Sequence, residues 1–233
     1  IPSPRPLWAW PVVALLLWLP ALAGPFQFDD YNVIVRQTAV HSLAAWWDSL
    51  PGIRPLLKLS YALNWSLSPA PFGFHLVNLW LHSLNGLLLH LWLSRLPLPA
   101  TAPRLAITLL WLLHPAQTEA VTYIAGRSVL LSTTGLLAGL WWLAGSHPRR
   151  GLAAAACTLA ALAVRETAWI FPLAFALVEW LRGRSARAIW DSTRLSWLVV
   201  AALACLFLIE PHFRRLIDVS FATRGAGEQI LSQ

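Results

Sequence analysis

The chain has 233 residues, 58% hydrophobic and 12% charged, with a mean hydropathy of +0.60. Soluble domains carry about a quarter charged residues, so this composition excludes one and points to a multi-span membrane protein. The formal charge of +7 does not imply nucleic acid: Lys and Arg cluster at the ends of apolar runs, where short cytoplasmic loops place them.

Taken in order, the apolar runs are Leu7–Ala23, Phe74–Leu93, Thr101–Leu113, Val129–Leu143, Leu152–Val164, Thr167–Leu181 and Leu195–Ile209. They predict an all-α protein of about seven transmembrane helices in one membrane domain, residues 1–233. Thr101–Leu113 is the weakest of them and also suits a re-entrant segment. Ile1 and the lack of Met suggest that the native N-terminus lies upstream. Leu7–Ala23 reads as a span, not a signal peptide, because Pro11 and Pro20 interrupt it. Cys157 and Cys205 fall inside apolar runs and read as core thiols.

Charge sets the expected orientation. Arg5, Arg95, Arg104, Arg149, Arg150, Arg182, Arg184, Arg187 and Arg194 go to one side, which is then cytoplasmic along with the N-terminus. The other side receives Asp29, Asp30, Asp48, Glu119, Glu166, Glu210, Asp218 and Glu228. Glu179 and Asp191 stay with the basic set. Acidic residues thus mark the outer face, where chemistry is expected. Residues 182–194 form a basic cytoplasmic loop in this reading, and residues 211–233 an outer tail.

The first outer loop, residues 24–73, carries Val35, Ala39, Leu43, Trp46 and Leu50 at helical spacing. That pattern predicts an amphipathic interfacial helix, ended by Pro51-Gly52, with a second from Ile53 to Leu67. The following span places His75, Asn78, His82 and Asn85 on one face. They suit either interhelical hydrogen bonds or the polar wall of a substrate cavity. His75 and His82 are about two turns apart, roughly 10 Å, too far to share one metal ion. No metal site is expected from the spacing of His and Cys.

Three clusters could carry chemistry. Asp29-Asp30 are adjacent carboxylates; mutual repulsion would raise one pKa and suit a base. A solvated loop with Asp30 capping the next helix is the plainer alternative. His114-Pro115-Ala116-Gln117-Thr118-Glu119, continuing to Tyr123 and Arg127, gathers polar groups that are costly beside a membrane. Within it Glu119 and Tyr123 share a helical face, and Arg127 could pair with a phosphate. Arg165-Glu166 reads either as a buried ion pair or as a second cation for that phosphate.

Read together, Phe28-Asp29-Asp30-Tyr31-Asn32, Arg54-Pro55-Leu56, Gly73-Phe74-His75-Leu76-Val77-Asn78, His114-Pro115-Ala116-Gln117-Thr118-Glu119 and Arg165-Glu166-Thr167 resemble the N-terminal membrane region of GT-C glycosyltransferases. The likeness is greatest to TMTC-type O-mannosyltransferases and their bacterial relatives with tetratricopeptide repeats. It implies a polyprenyl-phosphate sugar donor, an inverting transfer to a protein or glycan acceptor on the outer or luminal side, and no further cofactor; the place of a divalent metal is left open. It also implies a catalytic base at Asp29 or Asp30, support from Glu119, and substrate contacts from His75, His114, Tyr123, Arg127, Arg165 and Glu166. A bacterial inner membrane with a periplasmic active face is the expected setting, and membrane lipids are expected partners. Family members usually have eleven or more spans, so the chain is expected to be a fragment, a split enzyme, or a shortened, non-catalytic accessory subunit of a larger membrane complex.

Overall fold

The computed structural model describes residues 16–50, 52–97 and 101–209. The start of the first apolar run and the expected outer tail, residues 211–233, lie outside the described residues.

After a short 3-10 turn at Leu19–Ala23, the loop over one end of the molecule holds α1 (Leu43–Asp48) and α2 (Pro55–Leu67). Then come α3 (Pro71–Leu93), α4 (Thr101–Leu113), α5 (Thr118–Thr122), α6 (Arg127–Ala144), α7 (Arg150–Leu162), α8 (Phe171–Leu181) and α9 (Ala186–Ile209). No strand occurs among the described residues. Proline starts several of these helices: Pro55, Pro71 and Pro172 occupy first-turn positions, where the missing N–H costs nothing.

Three helices among the described residues are long and apolar enough to cross a membrane: Pro71–Leu93, Ile124–Ala144 and Ala186–Ile209. Seven such helices were expected. Thr101–Leu113 and Arg150–Leu162 are helical but span 13 residues each, and α8 has only 11. Apolar composition marks burial or lipid contact; it does not fix helix length.

The first amphipathic helix is also corrected. Residues 31–48 are a π-turn at Tyr31–Val35, a 3-10 turn at Thr38–Val40 and the six-residue α1. Extended backbone at Ser42, whose hydroxyl accepts from the Ala45 N–H at 3.0 Å, restarts the helix and breaks the run. The second expected helix exists as α2. The basic stretch 182–194 is not a loop throughout, since α9 already begins at Ala186.

Small residues bring the bundle together. α7 buries Gly151, Ala154, Ala155, Thr158 and Ala161, a smooth face against which α6 and α9 pack. A methyl at Gly151 would stand 2.8 Å from the Ser192 carbonyl oxygen. The polar face of α3 is spent on neighbours. The Asn85 amide donates to the Leu130 carbonyl at 2.9 Å and accepts from the Thr134 hydroxyl at 2.7 Å, and His82 Nε2 meets the Leu112 carbonyl at 3.0 Å. Cys157 is half-buried, but Cys205 is exposed on α9 and is no core thiol.

Among the described residues successive long helices alternate in direction, so their connections fall at two ends. One end gathers the loops containing Asp29, Asp30, Glu119, Arg165 and Glu166. The other gathers the turns containing Arg95, Arg149, Arg150, Arg182 and Arg184. The segregation of charge read from the sequence is therefore a segregation by bundle end.

Candidate active site

A small apolar core of Ile34, Val40, Leu57, Tyr61, Phe74, Ile124 and Val164 sits under the acidic end and fixes its loops to α2, α3 and α6. Above it, residues 27–32 fold tightly. Phe28 has φ 44° and Arg54 φ 54°, the only non-glycine residues among those described in the left-handed region. Such backbone costs roughly 1–3 kcal/mol and persists where packing over-determines it. Both flank the acidic loop.

The two aspartates do different things. Asp30 is 1% exposed. Its Oδ2 accepts from the Gln27 N–H at 3.0 Å and its Oδ1 from the Ala125 N–H at 2.8 Å. It does not cap the helix that follows. Instead it ties the acidic loop to the turn before α6. Burial pushes its pKa up against the backbone donors that pull it down, so desolvation, rather than the neighbouring carboxylate, is the cause. Asp29 is exposed. Its N–H donates to the Tyr123 hydroxyl at 3.0 Å, and its Oδ1 accepts from Asn32 Nδ2 at 3.1 Å.

Tyr123 brings the first two sequence clusters together. Its hydroxyl meets Asp29, its carbonyl accepts from Asn78 Nδ2 at 3.1 Å, and the Phe28 ring stands edge-on at 6.4 Å. Burial raises its pKa, the N–H of Asp29 on its oxygen lowers it, and the charges of Asp30, Asp29 and Glu119 raise it further. Glu119 is exposed in the first turn of α5. Gly126 lets this turn close: a methyl there would stand 2.8 Å from the carbonyl oxygens of both Glu119 and Ala120.

Other expected ligands are elsewhere. Arg127 is fully buried. Its Nε donates to Asn78 Oδ1 at 2.9 Å, Nη1 to the Ser60 carbonyl at 3.1 Å, and Nη2 to Asn64 Oδ1 at 2.8 Å and the Phe74 carbonyl at 3.0 Å. It lies over the Tyr61 ring at 4.9 Å. The guanidinium is an internal staple between α2, α3 and α6, with no face left for a phosphate. His75 is 3% exposed, with Nε2 on the Gly24 carbonyl at 3.0 Å, so it closes the loop instead of lining a cavity. His114 is exposed, and its Nδ1 accepts from the Ala116 N–H at 3.1 Å, capping a 3-10 turn.

Arg165 and Glu166 do not pair with each other. Arg165 is in extended backbone, φ −153° and ψ 136°, where successive side chains diverge. Its Nη1 donates to the Ser128 hydroxyl at 2.8 Å, and it lines a cavity of 200 Å³ with Ser132 and Thr133. Glu166 instead receives both arms of Arg54, Nε at 2.8 Å and Nη2 at 2.7 Å. Burial raises the Glu166 pKa, but Arg54 outweighs it and holds the carboxyl below its ordinary value.

Arg54 and Lys58 are the cations that single-residue reading of the sequence passed over, although Arg54-Pro55 was part of the resemblance. They line a mixed cavity of 380 Å³ with Asn32, Gln37, Leu57, Tyr61 and Glu166. Through Ile53, Arg54 and Glu166 this cavity meets an apolar groove of 270 Å³, walled by Leu159, Leu162, Trp169 and Leu203 between α7 and α9. Among the described residues no three His, Cys, Asp or Glu side chains are grouped to hold a metal ion.

No family model and no solved structure matches the chain. Curated relatives do. Protein O-mannosyl-transferase Tmtc2 of Drosophila melanogaster is 30% identical over 83% of this chain and 24% of its own length. The chain is homologous to the TMTC-type protein O-mannosyltransferases. Tmtc1 of the same fly is 35% identical over 52% of the chain and 16% of its own length. TMTC4 of Mus musculus is 33% identical over 54% and 21%. The chain thus spans about a quarter or less of these relatives.

Proposed function

We propose that this chain forms the acceptor and donor-phosphate side of a GT-C-type O-mannosyltransferase, moving a sugar from a polyprenyl phosphate to a protein hydroxyl at the acidic, outer or luminal end. One observation carries the reading. The exposed Asp29 carboxylate shares Asn32 with a cavity that holds the cations Arg54 and Lys58, and Arg54 also lines the adjoining apolar groove. That order suits an acceptor hydroxyl, a sugar phosphate and a lipid tail.

In this mechanism Asp29 takes the proton of the acceptor hydroxyl as its oxygen attacks the anomeric carbon. The carbon–oxygen bond to phosphate breaks, and polyprenyl phosphate leaves with the electron pair. Arg54 and Lys58 offset the charge that develops on it. Attack opposite the leaving group inverts the anomeric centre. Asp30 is a positioning residue that holds residues 27–32 against Ala125, and Tyr123 braces the Asp29 backbone. Of the two aspartates left open by the sequence, Asp29 is preferred because it is accessible while Asp30 is committed to two backbone donors.

The test is transfer of labelled mannose from a polyprenyl-phosphate donor to a protein acceptor by the full-length protein and its Asp29→Asn variant. A general base contributes about 10²–10⁴-fold, and a loss in that range with unchanged thermal unfolding supports the assignment. Transfer at the parental rate by Asp29→Asn overturns it.

A further inference from the structure

The acidic end leaves one large cavity of the described structure unused. That cavity, 660 Å³, lies at the opposite end, between the turn joining α6 to α7 and the first turns of α9. His147, Arg149, Arg150, Arg184 and Arg194 line it, with Asp191 as the one carboxylate in the wall. We propose that it binds the phosphate of an anionic phospholipid headgroup.

The charges facing it come from every element around it. Glu179 of α8 is buried and already paired with Arg182, with Arg184 Nε 3.9 Å from its other oxygen. Arg150 is anchored by the Gly145 carbonyl at 3.3 Å. Among the described residues neither Arg149 nor Arg194 has a salt-bridge partner, and both are exposed. Clustered guanidiniums match phosphate oxygens well. The turn itself is preformed: His147 Nδ1 accepts from the Arg149 N–H at 3.1 Å, and Gly151 admits the Ser192 carbonyl at closest approach.

Its position favours a lipid as the source. α9 exposes Trp190 (58%) beside the cavity and Leu198 (61%) further along the same apolar helix. Exposed Trp at a span end marks the bilayer interface, and basic pockets between spans at that depth suit lipid headgroups. A topology signal requires only charge in a loop. It does not require a concave wall in which guanidiniums from two connections and from α9 are gathered.

The test is native mass spectrometry of the full-length protein in mild detergent, with phosphatidylglycerol, phosphatidylcholine or inorganic phosphate added. Phosphatidylglycerol should be retained over phosphatidylcholine, and Arg149→Gln/Arg194→Gln should weaken retention on the order of tenfold. The charge-matched pair Arg36→Gln/Arg187→Gln, outside the cavity, should leave it unchanged. Equal loss in both pairs would mean diffuse surface attraction and overturn the site. Displacement of the lipid by inorganic phosphate at equimolar concentration would overturn the lipid as its ligand.

Discussion

At the scale of single residues, the acidic end separates groups that hold from groups that can react. Asp30 and Arg127 are buried and tied to several partners, His75 is buried with Nε2 on the Gly24 carbonyl, and Asp29 and Glu119 are exposed. Asp30→Asn should leave a backbone N–H facing an amide, costing about 1–3 kcal/mol; thermal unfolding in detergent would register this as a lowered midpoint alongside reduced transfer. Arg127→Met removes the donors from Asn64, Asn78, Ser60 and Phe74. The expected loss is on the order of 3–5 kcal/mol, seen as poor yield and early unfolding. If Arg127→Met folds normally and only raises the KM for the donor, the staple role is wrong. The sequence made Asp29-Asp30 conspicuous, because carboxylates are rare here. It made Arg127 look like a ligand, because nothing local shows that two carbonyls and two Asn side chains from α2 and α3 converge on it. Adjacency likewise suggested an Arg165–Glu166 pair, while extended backbone sends Glu166 to Arg54, 112 residues away in sequence.

At the scale of elements, close joints carry the geometry. Gly126→Ala would push a methyl against the Glu119 and Ala120 carbonyls and swing α5, with Tyr123, away from Asp29. Transfer should fall at least tenfold with only a modest loss of stability; unchanged kinetics would show that the α5 turn is not part of the site. The Arg54–Glu166 clasp joins α2 to the turn before α8. Both side chains are about half exposed, so a double-mutant cycle should give no more than about 1 kcal/mol of coupling. Its pH dependence has a definite sign. The Glu166 pKa is lowered in the folded protein, so the contribution is present above the ordinary glutamate pKa and is lost as pH falls through the lower, folded value. Acid that protonates Glu166 should therefore abolish the coupling measured at neutral pH, and coupling unchanged once Glu166 is protonated would contradict the clasp. Helix existence was legible from apolar runs. Helix length was not, because Ser42 and the Pro115, Gly126 and Pro172 turns divide the chain by capping and backbone geometry that hydropathy does not register.

At the scale of the whole molecule, the acidic loops and the basic turns occupy opposite ends of one helical bundle. This much followed from charge placement, since alternating helices send successive loops to opposite ends. The junction of cavity and groove did not, because Arg54, Glu166 and the groove between α7 and α9 meet only after folding. Cysteines placed singly at Asn32 and Arg187 should label from opposite sides of sealed vesicles; labelling from the same side would refute the two-ended arrangement. The account rests most heavily on Asp29 as the base for sugar transfer. Its direct measurement is the rate of mannose transfer from a polyprenyl-phosphate donor by full-length protein, compared between the parent and Asp29→Asn at matched folding. The account predicts a competent parent and a variant slower by about 10² or more. A variant as fast as the parent, or a folded parent that transfers nothing, would contradict it.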